Sequence, residues 1–185
     1  MRQDAANFRI RPIEPGDAPA MHAMRIMPGV QETISSVYSE RVSSAEDFIR
    51  SLGPDDHHFV AEVFDEADRA DKADKDACRV VGSVGLTAYA KPRKRHAALL
   101  GIMVRTEWQQ KGIGRALMSR ALDLADNWLM LARLELVVFA SNEHAIRMYE
   151  SFGFEVEGRL RAASIQNGAY VDDLIMGRLR QPAGM

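Results

Sequence analysis

Cysteine is nearly absent from this chain, and long apolar runs are absent altogether. Cys78 is the single cysteine among 185 residues, which rules out an intramolecular disulfide and fits a reducing compartment. No stretch approaches the roughly 20 apolar residues of a membrane span. The N-terminal residues carry charge from Arg2 onward and contain no apolar stretch of signal-peptide length. We therefore expect a cytoplasmic protein with no membrane partner.

An excess of charge of either sign is also missing. Lys and Arg number 24 and Asp and Glu number 26, which gives a formal net charge of −2. A nucleic-acid or membrane-surface protein is expected to carry a strong basic charge, so we expect neither partner. The five histidines show neither the i,i+4 spacing nor the cysteine partners of common metal sites, and we expect no bound metal.

Apolar residues make up 46% of the chain, enough to bury one sizeable core, and we expect a single domain over residues 1–185. Hydrophobic periodicity and turn residues mark out the elements. The predicted strands are 8–13, 57–64, 78–90, 96–104 and 133–140 with a closing hairpin around Asn167-Gly168, and the predicted helices are 17–27, 43–52, 113–131 and 142–152. This order predicts a mixed α/β fold with helices on the faces of a sheet.

Three segments carry more specific predictions. The nearly continuous apolar run 96–104 predicts a central strand buried on both faces. From Ile113 the apolar residues recur in steps of three and four, through Trp128 to Leu131, which predicts one long helix with a single buried stripe. Residues 65–77 are Asp, Glu, Lys, Arg and Ala only, and they predict a flexible charged loop, with a short solvated helix as the alternative.

A glycine turn precedes the third predicted helix. Within Gln109–Arg115, Gly112 and Gly114 stand between a predicted strand and a predicted helix start. A helix start leaves about four backbone N–H groups without internal partners and carries partial positive charge. Glycine lets the backbone approach a bulky anion, and Lys111 and Arg115 add positive charge. The segment therefore predicts either a diphosphate site or a tight strand-to-helix turn without a ligand.

Two motifs decide between these alternatives. Leu117 stands where a dinucleotide fingerprint needs its third glycine, and no Gly-Lys-Ser/Thr follows as in a P-loop. Instead, "QQKGIGRALM" matches Q/R-x-x-G-x-G/A, and "NEHAIRMYESFGF", further along, matches N-x-x-A-x-x-x-Y-x-x-x-G-F. Together they resemble the GCN5-related N-acetyltransferase (GNAT) superfamily. The stretches "DNWLMLARLELVVFASNEHAI" and "NGAYVDDLIM" resemble its branch of bacterial L-amino acid N-acetyltransferases, with ribosomal-protein and phosphinothricin-type acetyltransferases as relatives.

The resemblance implies a central, mostly antiparallel sheet flanked by helices. It also implies an enzyme that transfers the acetyl group of acetyl-CoA to a primary amine by direct attack in a ternary complex, with a free L-amino acid or similar small amine as the favoured acceptor. A protein or peptide N-terminus is the alternative acceptor and predicts a wide groove with acidic lining. A noncatalytic acyl-CoA-binding module and a nucleic-acid-binding domain are alternatives from other classes. Family analogy suggests a homodimer.

The resemblance also assigns the coenzyme-binding positions. The backbone of Ile102, Met103 and Val104 would hold the pantetheine arm, and a backbone N–H near Met103 or Val104 would polarise the thioester carbonyl. Main-chain amides of the glycine turn would bind the pyrophosphate; these residues are Gln109, Gln110, Lys111, Gly112, Ile113, Gly114 and Arg115.

Two residues of the second motif have structural alternatives. Asn142 stands at a predicted helix start and is typical of an N-cap, and the resemblance adds a hydrogen bond to the pantetheine arm. Tyr149 lies seven residues on, on the same face of that helix, and could be a core aromatic. The resemblance makes its hydroxyl the general acid that protonates the leaving thiolate, a task that suits a phenol because it keeps its proton at neutral pH.

The central strand offers no carboxylate as general base. Many members of the superfamily place a glutamate there, whereas this chain has Leu99, Leu100 and Gly101. Deprotonation of the amine could run through water, or through a group on another segment. The candidates are Glu32, His96 and Asp172.

Acceptor recognition is predicted on two segments. The loop between the first two helices offers Glu32, Thr33 and Tyr38, and the final hairpin offers Asp172 or Asp173. The ordinary polarity of exposed loops would explain these residues almost equally well. The basic residues 91–96 could pair with an acceptor carboxylate, or could form a solvated hairpin tip.

Overall fold

The computed structural model describes residues 8–64 and 78–180, and the predicted charged loop 65–77 lies outside them. In this part of the chain, seven strands form one sheet in the order β1-β2-β3-β4-β5-β7-β6. The strands are β1 (Phe8–Pro12), β2 (Asp56–Phe64), β3 (Cys78–Ala88), β4 (Ala97–Val104), β5 (Arg133–Phe139), β6 (Glu155–Gln166) and β7 (Ala169–Leu179). The helices are α1 (Ala18–Arg25), α2 (Val42–Ser51), α3 (Ile113–Asp123) and α4 (Glu143–Glu150). The predicted mixed α/β fold is confirmed.

The sheet opens between its two parallel strands. Neighbouring strands run antiparallel except β4 and β5, which are joined by a crossover containing α3. This pair is short, ending at Leu99 on β4 and Glu135 on β5. Beyond it, β4 continues to Val104 and β5 to Phe139 without pairing with each other. Backbone groups along this edge of β4 are therefore left for water or a ligand to satisfy.

Side chains alternate between the two faces of the sheet. One face packs against α3 and α4 in the larger core, which includes Leu86, Leu100, Leu117, Leu134, Tyr149 and Met176. The other face packs against α1 and α2 in a smaller core, which includes Met21, Met24, Ala45, Ile49, Val60 and Val80. The smaller core leaves part of its face uncovered, where Leu99 is 45% and Val137 is 54% exposed.

The prediction that the strand at 96–104 is buried on both faces is wrong for one of them. Ala98 and Leu100 are buried in the core with α3. Leu99 and Gly101 point to the opposite face and are exposed. The apolar run arises because this second face lines a cleft, and apolar lining is typical of ligand pockets.

The single long helix predicted to reach Leu131 is also wrong. Helix α3 ends at Asp123 and passes into one wide π-helical turn over residues 124–128, where the N–H of Leu129 donates to the carbonyl of Leu124. A π turn holds an extra residue, so the buried stripe moves to Ala125, which is fully buried, and Trp128 becomes 75% exposed.

Two predicted turns are confirmed. Asn167 and Gly168 both have positive φ angles, 49° and 79°, as the type I′ turn of a two-residue hairpin requires, and they join β6 to β7. Gly153 has a φ of 84° just beyond α4, where a left-handed residue commonly terminates a helix.

Across residues 8–64 and 78–180, no helix has both the length and the apolarity needed to cross a bilayer.

Candidate active site

A cleft of about 1700 Å³ lies where β4 and β5 separate. We call the part formed by the end of β4, residues 108–115 and α4 the turn side. The opposite part, which we call the sheet side, is formed by the α1/α2 face of the sheet together with α1, α2 and residues 33–36. The two sides meet at the opening between the strands, so ligands held on each would face one another there.

The glycine turn presents bare backbone to the turn side. Gly112 is the N-cap of α3 and has a φ of 85°, and Gln110 is also left-handed with a φ of 59°. A Cβ atom on Gly112 would meet nothing within 4 Å, which shows that this position opens to the cleft. A Cβ atom on Gly114 would lie 3.4 Å from Sδ of Met148, so this glycine allows close packing against α4. The free N–H groups at the start of α3 thus face an open space suited to an anion.

Side chains around the turn reinforce its positive charge. The side-chain amide of Gln109 donates a 3.1 Å hydrogen bond to the carbonyl of Val104, which ties the turn to the end of β4. Nζ of Lys111 lies 4.5 Å from the ring centre of Trp108, and the guanidinium of Arg115 lies 5.6 Å from that of Phe152. Both cations are therefore held beside the start of α3 by aromatic rings.

Nearly all the predicted coenzyme positions line the cleft. They are Ile102, Met103, Val104, Gln109, Gln110, Lys111, Gly112, Gly114, Arg115 and Asn142. Ile113 differs, because its side chain is fully buried in the core with α3. Only its backbone N–H remains for the predicted contact with a pyrophosphate.

Asn142 and Tyr149 lie at opposite ends of α4. The side chain of Asn142 accepts a 3.2 Å hydrogen bond from the N–H of Ala145, which confirms the predicted N-cap and leaves its Nδ2 as a donor. Tyr149 lines the cleft yet is only 6% exposed, packed against Phe154 in the larger core. Burial raises the pKa of Tyr149 to about 12. Its phenol therefore stays protonated and able to donate at neutral pH.

Most residues predicted to act on the acceptor lie outside the cleft. Thr33 lines it, whereas Glu32, Tyr38, His96 and Asp172 do not. Asp172 instead accepts hydrogen bonds from the N–H of Ala162 and from Arg159, which lower its pKa below the usual 3.8. Tyr38 is 79% exposed.

Three titratable residues of the cleft were missed as site candidates or left undecided. Arg25, at the end of α1, and His58, on β2, line the sheet side, and Asp173 lines the cleft from β7. No sequence pattern pointed to Arg25, and His58 stood out only as one member of a predicted strand. Asp173 was named together with Asp172, and alternation along β7 turns these neighbours to opposite faces.

The basic residues 91–96 do not line the cleft. They lie in the exposed connection from β3 to β4, which contains one turn of 3₁₀ helix at Pro92–Lys94. In the described residues, no group of three His, Cys, Asp or Glu side chains is placed to hold a metal ion.

Known proteins are similar to this chain in sequence and in fold. The model of the acetyltransferase (GNAT) family matches residues 27–154. The L-amino acid N-acetyltransferase AaaT of Escherichia coli K12 is 37% identical over 130 residues, which cover 69% of this chain and 78% of that protein. A spermidine N(1)-acetyltransferase of Vibrio cholerae is 28% identical over 167 residues, 90% of each chain. The crystal structure of the V. cholerae spermidine N-acetyltransferase in complex with CoA and spermine matches with a TM-score of 0.76 at 25% identity, covering 93% of this chain and 95% of that one.

The chain belongs to the acetyltransferase (GNAT) family, and the family indicated by the two motifs is thereby confirmed. It is an N-acetyltransferase whose acetyl donor is acetyl-CoA.

Proposed function

We propose that this enzyme acetylates the amino group of a small molecule, and that its favoured acceptor is a free L-amino acid. The observation that carries the proposal is that the guanidinium of Arg25, on the sheet side, is held in place while two of its nitrogens have no acceptor in the described part of the chain. Its Nη1 donates to Glu40 at 2.7 Å, and its guanidinium lies 5.0 Å from the ring centre of Phe48. Its Nε and Nη2 have no hydrogen-bond acceptor within the described residues. A guanidinium that is held in place and still has unused hydrogen-bond donors is suited to bind a carboxylate.

The resemblance to AaaT supports the same acceptor class, since that relative is an L-amino acid N-acetyltransferase. The sheet side also holds few acidic groups, because Asp173 is the one Asp or Glu among the described residues that line the cleft. A peptide N-terminus or a polyamine would be better matched by several carboxylates.

Acetyl-CoA would occupy the turn side. The N–H groups from Gly112 to Arg115 would hold its pyrophosphate, and Lys111 and Arg115 would add charge. The pantetheine arm would run along the unpaired edge of β4 at Ile102–Val104, with Nδ2 of Asn142 as a donor. In this arrangement the thioester would lie at the opening of the sheet.

The reaction then follows from the placement of Tyr149. The amine nitrogen attacks the thioester carbonyl carbon, a backbone N–H of β4 stabilises the developing oxyanion, and the C–S bond breaks. Tyr149 donates its phenolic proton to the departing sulfur. The tyrosine recovers a proton from the nitrogen that has become the amide, directly or through solvent.

A polyamine is the second candidate acceptor. Asp173 is 8% exposed and its Oδ2 accepts a 2.8 Å hydrogen bond from Ser164, while its Oδ1 has no partner among the described residues. A buried carboxylate with a free oxygen suits an ammonium group, and the V. cholerae relative acts on spermidine.

The test is a screen for CoA release from acetyl-CoA with purified protein. Acceptors are the free amino acids, the corresponding amino acid amides, spermidine and a short peptide. We expect the highest kcat/KM with a free amino acid and a much lower value with its amide. Arg25→Met should raise KM for the amino acid at least tenfold, about 1.4 kcal/mol, and leave KM for the amide unchanged. The matched control is Arg50→Met, because Arg50 is exposed on α2, paired with Asp47, and outside the cleft.

Other outcomes would contradict the proposal. The highest activity with spermidine would favour the polyamine, and the highest activity with the peptide would favour an N-terminal acetyltransferase. Binding of coenzyme A without release from acetyl-CoA in the presence of any amine would indicate a noncatalytic acyl-CoA-binding module.

A further inference from the structure

An acceptor ammonium must lose a proton before its nitrogen can attack, and the residues placed so far do not accept it. Among the described residues lining the cleft, the side chains with an imidazole or a carboxylate are His58, His144 and Asp173. His144 is exposed on α4, on the turn side. Asp173 lies on β7, two strands from β4. His58 belongs to β2, but its ring extends over Gly85 of β3, the strand next to β4.

Gly85 makes this reach possible. It pairs with His58 in the β2–β3 ladder and with Gly101 in the β3–β4 ladder. A Cβ atom on Gly85 would collide with Cε1 of the His58 ring and would lie 2.5 Å from its Nδ1. The ring therefore occupies the space that a side chain at Gly85 would fill.

Gly101, the partner of Gly85 on β4, leaves the neighbouring space open. A Cβ atom on Gly101 would meet nothing within 4 Å. The space over Gly101 is therefore open on the sheet side, between the His58 ring over Gly85 and the edge of β4. We call this space the trough. Adjacent strands are about 4.8 Å apart, so a small amine in this trough would touch the ring and the opening at the same time.

The two ring nitrogens of His58 have different environments. Nε2 is buried and has no hydrogen-bond partner in the described part of the chain. Phe48 packs against the ring edge-on, with the ring centres 5.2 Å apart. Both nitrogens lie close to Gly85. Nδ1, unlike Nε2, is not among the buried atoms of the described residues that lack a partner, which leaves it as the nitrogen that faces the trough. Packing alone would not call for an imidazole here, because a buried ring nitrogen without a partner is unfavourable.

The charge state of His58 suits a proton acceptor. Burial lowers the pKa of His58 below its ordinary value of 6.5. Asp56 opposes this shift, and His57 on β2 and Arg25 on α1 add to it. The contacts from α2 and β3 are made by the uncharged residues Phe48 and Gly85. The ring is therefore neutral, with a free nitrogen, at physiological pH.

We propose that Nδ1 of His58 accepts the proton from the acceptor ammonium in the trough over Gly101. The proposal rests on the proposed acetylation of a small amine, and it concerns the proton that leaves before the C–N bond forms. That proton passes from the ammonium nitrogen to His58 and then to solvent. The second nitrogen-bound proton leaves after attack and restores Tyr149, so one proton is released for each amide and each CoA thiol formed.

The test compares wild type, His58→Asn and His57→Asn, each with the primary amine on which wild type is most active, whatever its class. Asn retains a polar atom near the position of Nδ1 but does not accept a proton. His57 is the neighbouring histidine on β2 and does not line this cleft. The kinetic constants are measured from pH 6 to 10, with coenzyme A affinity by calorimetry as the check on folding. A second acceptor is an analogue of the first whose amine has a pKa near 7.8, as an α-amino group next to an amide does.

We expect His58→Asn to lower kcat at pH 7 by about 100-fold or more, the usual contribution of acid–base catalysis, with coenzyme A affinity unchanged and His57→Asn like wild type. The loss should shrink as the pH approaches the pKa of the amine, and it should be less than tenfold for the analogue of low pKa. The proposal is overturned if His58→Asn keeps kcat within threefold of wild type, or if its loss is the same for both amines at every pH. Because the acceptor is chosen by activity, a wrong acceptor class would show in the screen and leave this comparison intact.

Discussion

The side-chain amide of Gln166, the last residue of β6, donates a 2.5 Å hydrogen bond to the backbone carbonyl of Glu32 in the loop between α1 and α2. The two segments predicted to recognise the acceptor therefore touch one another. The bond holds the loop next to Thr33, which lines the cleft.

Removal of this hydrogen bond should weaken binding of the acceptor but not of acetyl-CoA. Gln166→Ala should raise KM for the acceptor about threefold to tenfold, the effect of losing one hydrogen bond of about 1 kcal/mol, and leave KM for acetyl-CoA unchanged. Glu32→Ala is the matched control, because it keeps the backbone carbonyl and should behave as wild type. If Glu32→Ala alone impairs the reaction, the side chain of Glu32 contacts the acceptor as the sequence suggested. Steady-state kinetics distinguish these results.

Tyr149→Phe should separate chemistry from binding. The variant keeps the buried ring but loses the proton donor, so kcat should fall by about 100-fold or more while coenzyme A affinity stays within twofold of wild type. Because the pKa of Tyr149 is about 12, ionisation of this residue should not cause a loss of wild-type activity below about pH 10. A variant with undiminished kcat would exclude Tyr149 as the acid.

Gly112→Ala should cost both stability and coenzyme affinity. Its φ of 85° is unfavourable for alanine by about 1 kcal/mol, which for a chain of this size lowers Tm by about 2–4 °C. The added methyl would project into the anion site, and we expect the Kd of coenzyme A to rise at least tenfold. Gly168→Ala is the control, because its φ is 79°, its Cβ would also meet nothing within 4 Å, and it lies outside the cleft. It should lose similar stability with no change in Kd; equal Kd values for both variants would argue against phosphate binding at the turn.

Acid stability should depend on Arg11. Burial alone would raise the pKa of Asp17, but hydrogen bonds from Arg11 and from the N–H of Glu14 outweigh it and bring the pKa below 3.8. A carboxyl group with a lowered folded pKa stabilises the fold above its unfolded pKa, and this contribution is lost as pH falls through the folded value. Below about pH 4, wild type should lose stability.

The variant Arg11→Met leaves Asp17 buried without its cation, and we expect a loss of roughly 3 kcal/mol at pH 7. Because the remaining carboxyl is then easier to protonate, the difference from wild type should narrow toward pH 3. Urea unfolding at several pH values measures both effects. A constant difference across that range would show that the ion pair does not set the acid dependence.

Local sequence determined the backbone conformation on the turn side of the cleft. The glycine turn, the N-cap Asn142 and the Asn167-Gly168 hairpin depend on backbone conformations that neighbouring residues impose, and all three are where the sequence placed them. The predicted coenzyme positions follow the same rule, because all of them except Asn142 lie in one stretch that runs from β4 into α3. A motif of contiguous residues carries such a site, and this allowed the family to be identified from two short segments.

Which residues meet on the sheet side was decided by the tertiary structure alone. Arg25, His58 and Gly85 come from three separate elements and meet only because the strand register sets His58 opposite Gly85 and α1 packs over that face. Whether Asp172 or Asp173 lines the cleft depended on which face of β7 turns inward. Because β7 has apolar residues on both faces, the sequence did not reveal the inward face. The exposure of Trp128 depended on one π turn. Each of these outcomes is fixed by long-range packing and pairing, whose energies do not appear in any local pattern of residues.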